Sequence, residues 1–299
     1  MGANTNKTRH KGRDRHRIKK NGDEMKCNPG VSGKQKIANG SCITEKMKEV
    51  IPNGAEIIRN CDADKCIVDS ISDKSVKSFV EEHAFAPKQP NTWKTNKNTW
   101  LSNFDITDVL EQYQEADAYR DFLFHNPTYK DFDKKVGANT CVSDEICQFA
   151  LDKHIADGKR KFGFVFNLAD HTQPGSHWIA LFVDIDDEFA FFFNSTGDKI
   201  PREVSALVKR IQKQARAIIK PGTHPPRHYK IKLHTNYDYD HQEGNTECGM
   251  YALFFIITML TNKHDDIEFK NLREKTNFFK QYKIEDGFVE KLRSEYFNR

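Results

Sequence analysis

Three short stretches in the middle of the chain, residues 162–166, 177–183 and 189–193, are apolar at nearly every position. They are rich in Phe and β-branched residues, with no polar face, so they predict buried central strands. Helical periodicity surrounds them. Ile106, Val109, Leu110 and Tyr113 recur at the spacing of one helix face behind a capping Ser102. A second helix is expected from Ser143 through Ile146, Phe149, Ala150 and Ile155. Val204, Leu207, Val208, Ile211, Ala215 and Ile218 form one stripe after Pro201, closed by Pro221-Gly222. Tyr229, Ile231 and Leu233 alternate with polar residues, as a half-exposed strand does. A nearly all-apolar helix then follows Cys248, and an amphipathic helix is expected over 288–297. Helices, then strands, then a buried helix indicate an α+β fold.

Toward the N-terminus, Val76, Phe79 and Val80 mark a short helix, and Pro87, Pro90 and Asn91 read as a linker. Three regions result: a basic tail over 1–26, expected to be disordered, a small helical lobe over 27–92, and a main domain over 93–299. Residues 1–20 hold eight Lys or Arg against one Asp, which leaves the rest of the chain slightly acidic. Arg13, Arg15, Arg17, Lys19 and Lys20 are therefore candidates for holding nucleic-acid phosphates; import into the nucleus or simple solubility would use the same charge. The longest dense apolar run, 250–260, is too short to cross a bilayer, so no membrane partner is expected. No secretory apolar stretch opens the chain, and the seven Cys are expected to be thiols. Seven is odd, so at least one is unpaired under any conditions.

Cys248 alone lies at the start of an expected helix, with Asn245 or Thr246 as its N-cap. The positive end of a helix favours thiolate, the form that attacks. His177 opens one apolar strand, and the next begins after a short acidic connection. With a two-residue turn at Asp186-Asp187, or a four-residue loop, Ile179 faces Asn194. His177 and Asn194 are then diagonal neighbours on one face, with Cα atoms roughly 7–8 Å apart. A three-residue loop would place them on opposite faces. Thiolate, imidazole and an orienting side-chain carbonyl make a Cys-His-Asn arrangement for acyl transfer. Gln242, six residues before Cys248, is the candidate oxyanion donor. His171 is a rival base, and Asp184, Asp186, Asp187 and Asp198 compete with Asn194. The spacings Cys61/Cys66 and Cys141/Cys147 do not match zinc knuckles, so neither metal nor cofactor is expected.

His177-Trp178, Asn194 and the run from Gln242 to Gly249, in that order and spacing, resemble the ubiquitin-like-protein protease superfamily, which includes SUMO-specific proteases and adenovirus-type endopeptidases. Trp100-Leu101-Ser102-Asn103 resembles its Trp-Leu-x-Asp segment. Cys27-Asn28-Pro29 with Ser41-Cys42 is similar to the maturation proteases of large cytoplasmic DNA viruses, including the African swine fever virus enzyme. The resemblance implies a papain-like core in permuted order, a mixed sheet packed on the helix that carries the nucleophile. It implies Cys248 as nucleophile, His177 as base, Asn194 as orienting residue and Gln242 as oxyanion donor. Trp178 and Trp100 would wall a channel that admits only glycine, with Asn103 a further substrate contact. The implied activity is endoproteolysis of viral structural polyproteins after Gly-Gly-type sites, in the virion and host cytoplasm. Asn194 and Asn103 stand where many members carry Asp. SUMO or ubiquitin deconjugation is a rival within the same chemistry, and a bacterial-effector type acetyltransferase is another. A catalytically retired nucleic-acid-binding core protein is the rival from a different class.

Overall fold

The computed structural model describes residues 25–299 apart from 32–34, 38, 39, 97 and 266, so the basic tail residues Arg13 to Lys20 lie outside the described residues. The aromatic segments pair into a five-stranded mixed sheet: β1 (Phe122–Tyr129), β2 (Lys161–Asn167), β3 (Trp178–Asp184), β4 (Phe189–Phe193) and β5 (Lys232–Thr235), in that order. β2, β3 and β4 are antiparallel neighbours, while β1 and β5 add parallel edges. Every residue of β3 and β4 is buried, which accounts for their lack of alternation. β1 departs from the expected elements because Pro127 interrupts its pattern. The strand shifts register between His125 and Thr128 at that proline, which an edge strand tolerates.

Helices cover both faces. Four short ones, α1 (Glu45–Val50), α2 (Gly54–Asn60), α3 (Asp64–Ser70) and α4 (Lys74–Ala84), surround a cluster of their own that includes Ile43, Ile67, Val68 and Val80. α5 (Asn103–Glu115) carries a capping box in which Ser102 and Asp105 satisfy each other's backbone N–H. The helix expected from Ser143 to Ile155 is broken into α6 (Asp144–Cys147) and α7 (Leu151–Ala156). The break is held by α8 (Arg202–Ala215): the Gln214 amide takes Phe149 O and Leu151 N at 3.0 and 2.9 Å, and Arg210 takes Cys147 O at 3.0 Å. α9 (Cys248–Thr261) lies against β3 and is buried along every residue through Leu260. No described helix is long and apolar enough to cross a membrane.

A small ribbon, β6 (Lys263–His264) and β7 (Ile267–Glu268), precedes α10 (Leu272–Gln281), which begins at its capping Asn271. The single helix expected over 288–297 is instead α11 (Asp286–Lys291) and α12 (Arg293–Tyr296). Beyond them, Asn298 ties the segment after α12 to residues that flank the four-helix cluster. Its side chain bonds Lys26 N, Lys26 O and Ala86 O at 2.7, 2.9 and 2.9 Å. Its backbone bonds Pro87 O and Gln89 N, each at 2.7 Å.

The expectation of seven thiols is corrected. Cys27–Cys42, Cys61–Cys66 and Cys141–Cys147 form disulfides, with Cα separations of 5.1, 5.5 and 6.3 Å. Each lies inside the range a disulfide spans, and the short loops bring the partners there locally. Cys248 is the one free cysteine. Alkylation in denaturant without reductant is therefore expected to add one group per chain, against seven after reduction, read by intact mass. More than one group before reduction would contradict the pairing.

Candidate active site

Cys248 is the first residue of α9 and is 1% exposed. The residue before the helix that closes its N-terminus is Glu247, rather than Asn245 or Thr246, and it makes no capping bond. The Glu247 carboxylate is occupied instead by Thr246, through both its N–H and its hydroxyl. The N–H groups at the start of α9 are thus not taken by a side-chain cap. Burial pushes the Cys248 thiol above its ordinary pKa, although N–H groups of Trp178, Gly249 and Cys248 itself act in the opposite direction. The N–H groups at the helix start favour thiolate, as expected, but burial outweighs them.

The β3–β4 hairpin has the four-residue connection 185–188 and pairs Ala180 with Phe193, the register in which His177 and Asn194 share a face. They meet, His177 Nε2 donating to Asn194 Oδ1 at 2.8 Å. Nδ1 is then the lone-pair nitrogen of the neutral ring. Desolvation lowers the His177 pKa, opposed by the Asn194 bond and by Asp198. Asn194 Oδ1 also accepts from Thr196 N at 3.1 Å and shares the single Thr196 hydroxyl proton, 2.8 Å away, with Asp198. Asn236 clamps its backbone from both sides, at 3.0 Å to N and 2.7 Å to O. Of the competing carboxylates, Asp184 accepts the N–H groups of Asp186 and Asp187 in the hairpin turn. Asp198 accepts from Thr196 Oγ1 at 2.6 Å. The rival base His171 is bound to Asp131 at 2.7 Å.

Gln242 lies in the loop that feeds α9 and is 7% exposed. Its Oε1 accepts from Ser195 Oγ at 2.7 Å and its Nε2 donates to Gly244 O at 3.0 Å. The loop is pinned by His241, fully buried, which bonds Phe279 O and Ile284 N at 3.0 and 3.2 Å. Burial holds the His241 pKa down to about 4, so the ring is neutral at pH 7. Ser195, Asn236 and His241 were not among the residues expected from sequence; none belongs to a recognisable spacing, and only adjacency to Asn194 and Gln242 marks two of them.

Beside this cluster runs a cleft of about 820 Å³ lined by Trp100, Asn103, Val136, His171 and Trp178 among others. Trp178 is 8% exposed, its indole N–H bonded to Leu101 O at 2.9 Å, whereas Trp100 is 42% exposed. Leu101 also presses on α9: a Cβ at Gly249 would come within 2.9 Å of its Cβ. The structure joins His177 to Asn194, ties Gln242 to Ser195 beside them, sets Cys248 at the start of the helix packed on β3, and places Trp100, Asn103 and Trp178 along one cleft. Among the described residues no group of three His, Cys, Asp or Glu could hold a metal ion.

Residues 166–290, a span holding His177, Asn194, Gln242 and Cys248, match the Ulp1 protease family, C-terminal catalytic domain. A cysteine protease S273R of African swine fever virus is 26% identical over 238 residues, covering 74% of this chain and 82% of its own. The protein named SUMO-1 cysteine protease S273R in another isolate of that virus is 24% identical over 256 residues, covering 80% and 89%. The crystal structure of the African swine fever virus pS273R protease has the same fold, with a TM-score of 0.63 at 22% identity over 91% of this chain and 95% of that one.

Proposed function

We propose, from the premise that this chain is a cysteine peptidase with a catalytic domain of the Ulp1 protease type, that it cleaves viral structural polyproteins after Gly-Gly-type sites. The observation that carries the assignment is the 2.8 Å bond from His177 Nε2 to Asn194 Oδ1. With Nε2 committed to Asn194, Nδ1 is the atom that takes the Cys248 proton as sulfur attacks the scissile carbonyl. Cys248 starts as thiol and His177 as imidazole, because burial disfavours the charged form of each. Proton transfer therefore accompanies attack. The Asn194 carbonyl accepts from the ring in both protonation states and so holds it through the cycle. Gln242 Nε2 and the uncapped N–H groups of α9 meet the developing oxyanion. His177 gives its proton to the leaving amine, then draws one from the water that hydrolyses the thioester.

Restriction to glycine is supported by the walls. Trp178 is fastened to Leu101, and Leu101 is packed against Gly249, so the wall that Trp178 gives the cleft is braced against the first turn of α9. The viral origin of the relatives supports action in virions and the host cytoplasm, with the basic tail residues Arg13 to Lys20 a candidate tether to nucleic acid. Deconjugation of a SUMO-like modifier is the second reading, supported by the name of one relative. Four residue types competent for catalysis in one cluster weigh against a retired enzyme.

Peptides of the form Gly-Gly-Xaa bearing a fluorophore, compared with a folded SUMO fusion, separate the two readings. Cleavage of the peptide is expected, and turnover of the fusion alone would favour deconjugation. Because the His177 pKa is lowered, the base form survives into acid, so the acid limb of kcat/KM is expected to be centred below pH 6.5. Asn194→Asp stabilises the imidazolium and should move that limb upward. A limb centred above 6.5 in the unmodified protein would contradict the role given to His177.

A further inference from the structure

We propose that Ser195 is a positioning residue for the oxyanion donor: its hydroxyl holds the Gln242 amide so that one Nε2–H is presented to the carbonyl under attack. The inference rests on the assignment of Gln242 as that donor. Ser195 directly follows Asn194 and is 1% exposed. Its carbonyl accepts the N–H groups of His241 and Gln242 at 2.7 and 2.9 Å, so the two segments are already zipped together by backbone. Its hydroxyl then meets Gln242 Oε1 at 2.7 Å.

The orientation of the amide follows from its two partners. Gly244 O, 3.0 Å away, can only accept, which puts Nε2 on that side and Oε1 toward Ser195. Ser195 must therefore be the donor. An amide carries two N–H groups, one of which is committed to Gly244, and the second is the one available to an oxyanion. Without the Ser195 hydroxyl the amide would hang from a single loop carbonyl. Its terminal torsion is broad and roughly two-fold, so the free N–H would wander from the direction that matters. Donors act on an oxyanion only when held in place before charge develops. Two consecutive residues at the end of β4 thus serve the two halves of the chemistry, Asn194 steadying the base and Ser195 the donor.

The test uses the full chain and a fluorogenic Gly-Gly-Xaa peptide, with kcat and KM measured separately for Ser195→Ala, Ser195→Thr, Gln242→Ala and the Ser195→Ala/Gln242→Ala double variant. The iodoacetamide alkylation rate of Cys248, which needs no oxyanion donor, is followed in parallel. Ser195→Ala is expected to lower kcat about 10- to 100-fold, with KM and the alkylation rate within about twofold. Ser195→Thr, which keeps the hydroxyl, should recover most of the loss, and the double variant should be no slower than Gln242→Ala alone. The proposal is overturned if Ser195→Ala keeps its kcat while Gln242→Ala loses it, or if the two losses multiply in the double variant. A Gln242→Ala variant with undiminished kcat would instead remove the underlying assignment, and the proposal with it. Should Ser195→Ala not melt cooperatively, Ser195→Cys, a far weaker donor of similar size, carries the same comparison.

Discussion

Replacing Cys248 with alanine is expected to reduce peptide hydrolysis by about 10⁴-fold or more, because no other group in the cluster can form the acyl intermediate. The fold should survive. Cys248 contributes one sulfur to a helix whose other residues through Leu260 are all buried, and losing it should cost about 1–2 kcal/mol. Denaturant unfolding of the variant beside the unmodified protein checks that point, and the loss of the single alkylatable thiol in the disulfide-bonded chain checks the identity of the nucleophile. Residual hydrolysis within about tenfold of the unmodified protein would sink the mechanism. The other cysteines cannot substitute, since all six are committed to disulfides.

Gly249→Val is expected to be nearly as damaging without touching a catalytic group. A Cβ at 249 would lie 2.9 Å from Leu101 Cβ and 3.2 Å from its Cδ1, so the branched side chain must push Leu101 outward. Leu101 O is the acceptor for Trp178 Nε1, and the wall of the cleft moves with it. Overpacking of this kind costs about 1–3 kcal/mol of stability. Displacing a bound peptide by about 1 Å can cost about 100-fold in rate, and a loss of that size in kcat/KM is expected here. Gly249→Ala should fall between the two, and the alkylation rate of Cys248 should change little in either. Equal hydrolysis by the Gly, Ala and Val forms would show that the close approach of Leu101 has no bearing on substrate.

What could be read from sequence was whatever follows from short-range pattern. The strands at Phe162, His177 and Phe189 are apolar on both faces and short, and either even-length hairpin turn gives the same pairing, so the meeting of His177 with Asn194 follows from sequence once the three-residue loop is set aside, which the four-residue connection 185–188 does. The capping box at Ser102 and the stripe of α8 are similarly local. Misreadings arose where distant residues decide the outcome. The helix expected from Ser143 to Ile155 is divided by Gln214 and Arg210, more than 60 positions away, whose side chains satisfy the backbone groups at the break. β1 was hidden by Pro127, whose penalty vanishes at a sheet edge. The expectation of thiols rests on compartment, whereas proximity of the sulfurs is set by local loops of 15, 5 and 6 positions. At Cys248 the helix end was weighed without burial, which turned out to dominate the thiol. Ser195 and Asn236 act through contacts 47 and 42 positions away, and no periodicity encodes such partners.

The bonds made by Asn298 tie together residues 272 positions apart in the chain. At about 5–20 residues per second of synthesis, Lys26 emerges roughly 15–50 s before its partner exists. The lobe must meanwhile rest on its own small cluster and its nearby disulfides. The hairpins of β2, β3 and β4 join near neighbours in sequence, whereas the Asn298–Lys26 fastening spans the longest separation among the described hydrogen bonds, so its loop-closure cost is the greater. A chain synthesised as far as Cys248 but not yet to Asn298 already holds His177, Asn194 and Cys248 while the residues around Lys26 lack their fastening, so the candidate cluster exists in sequence before the lobe can be latched.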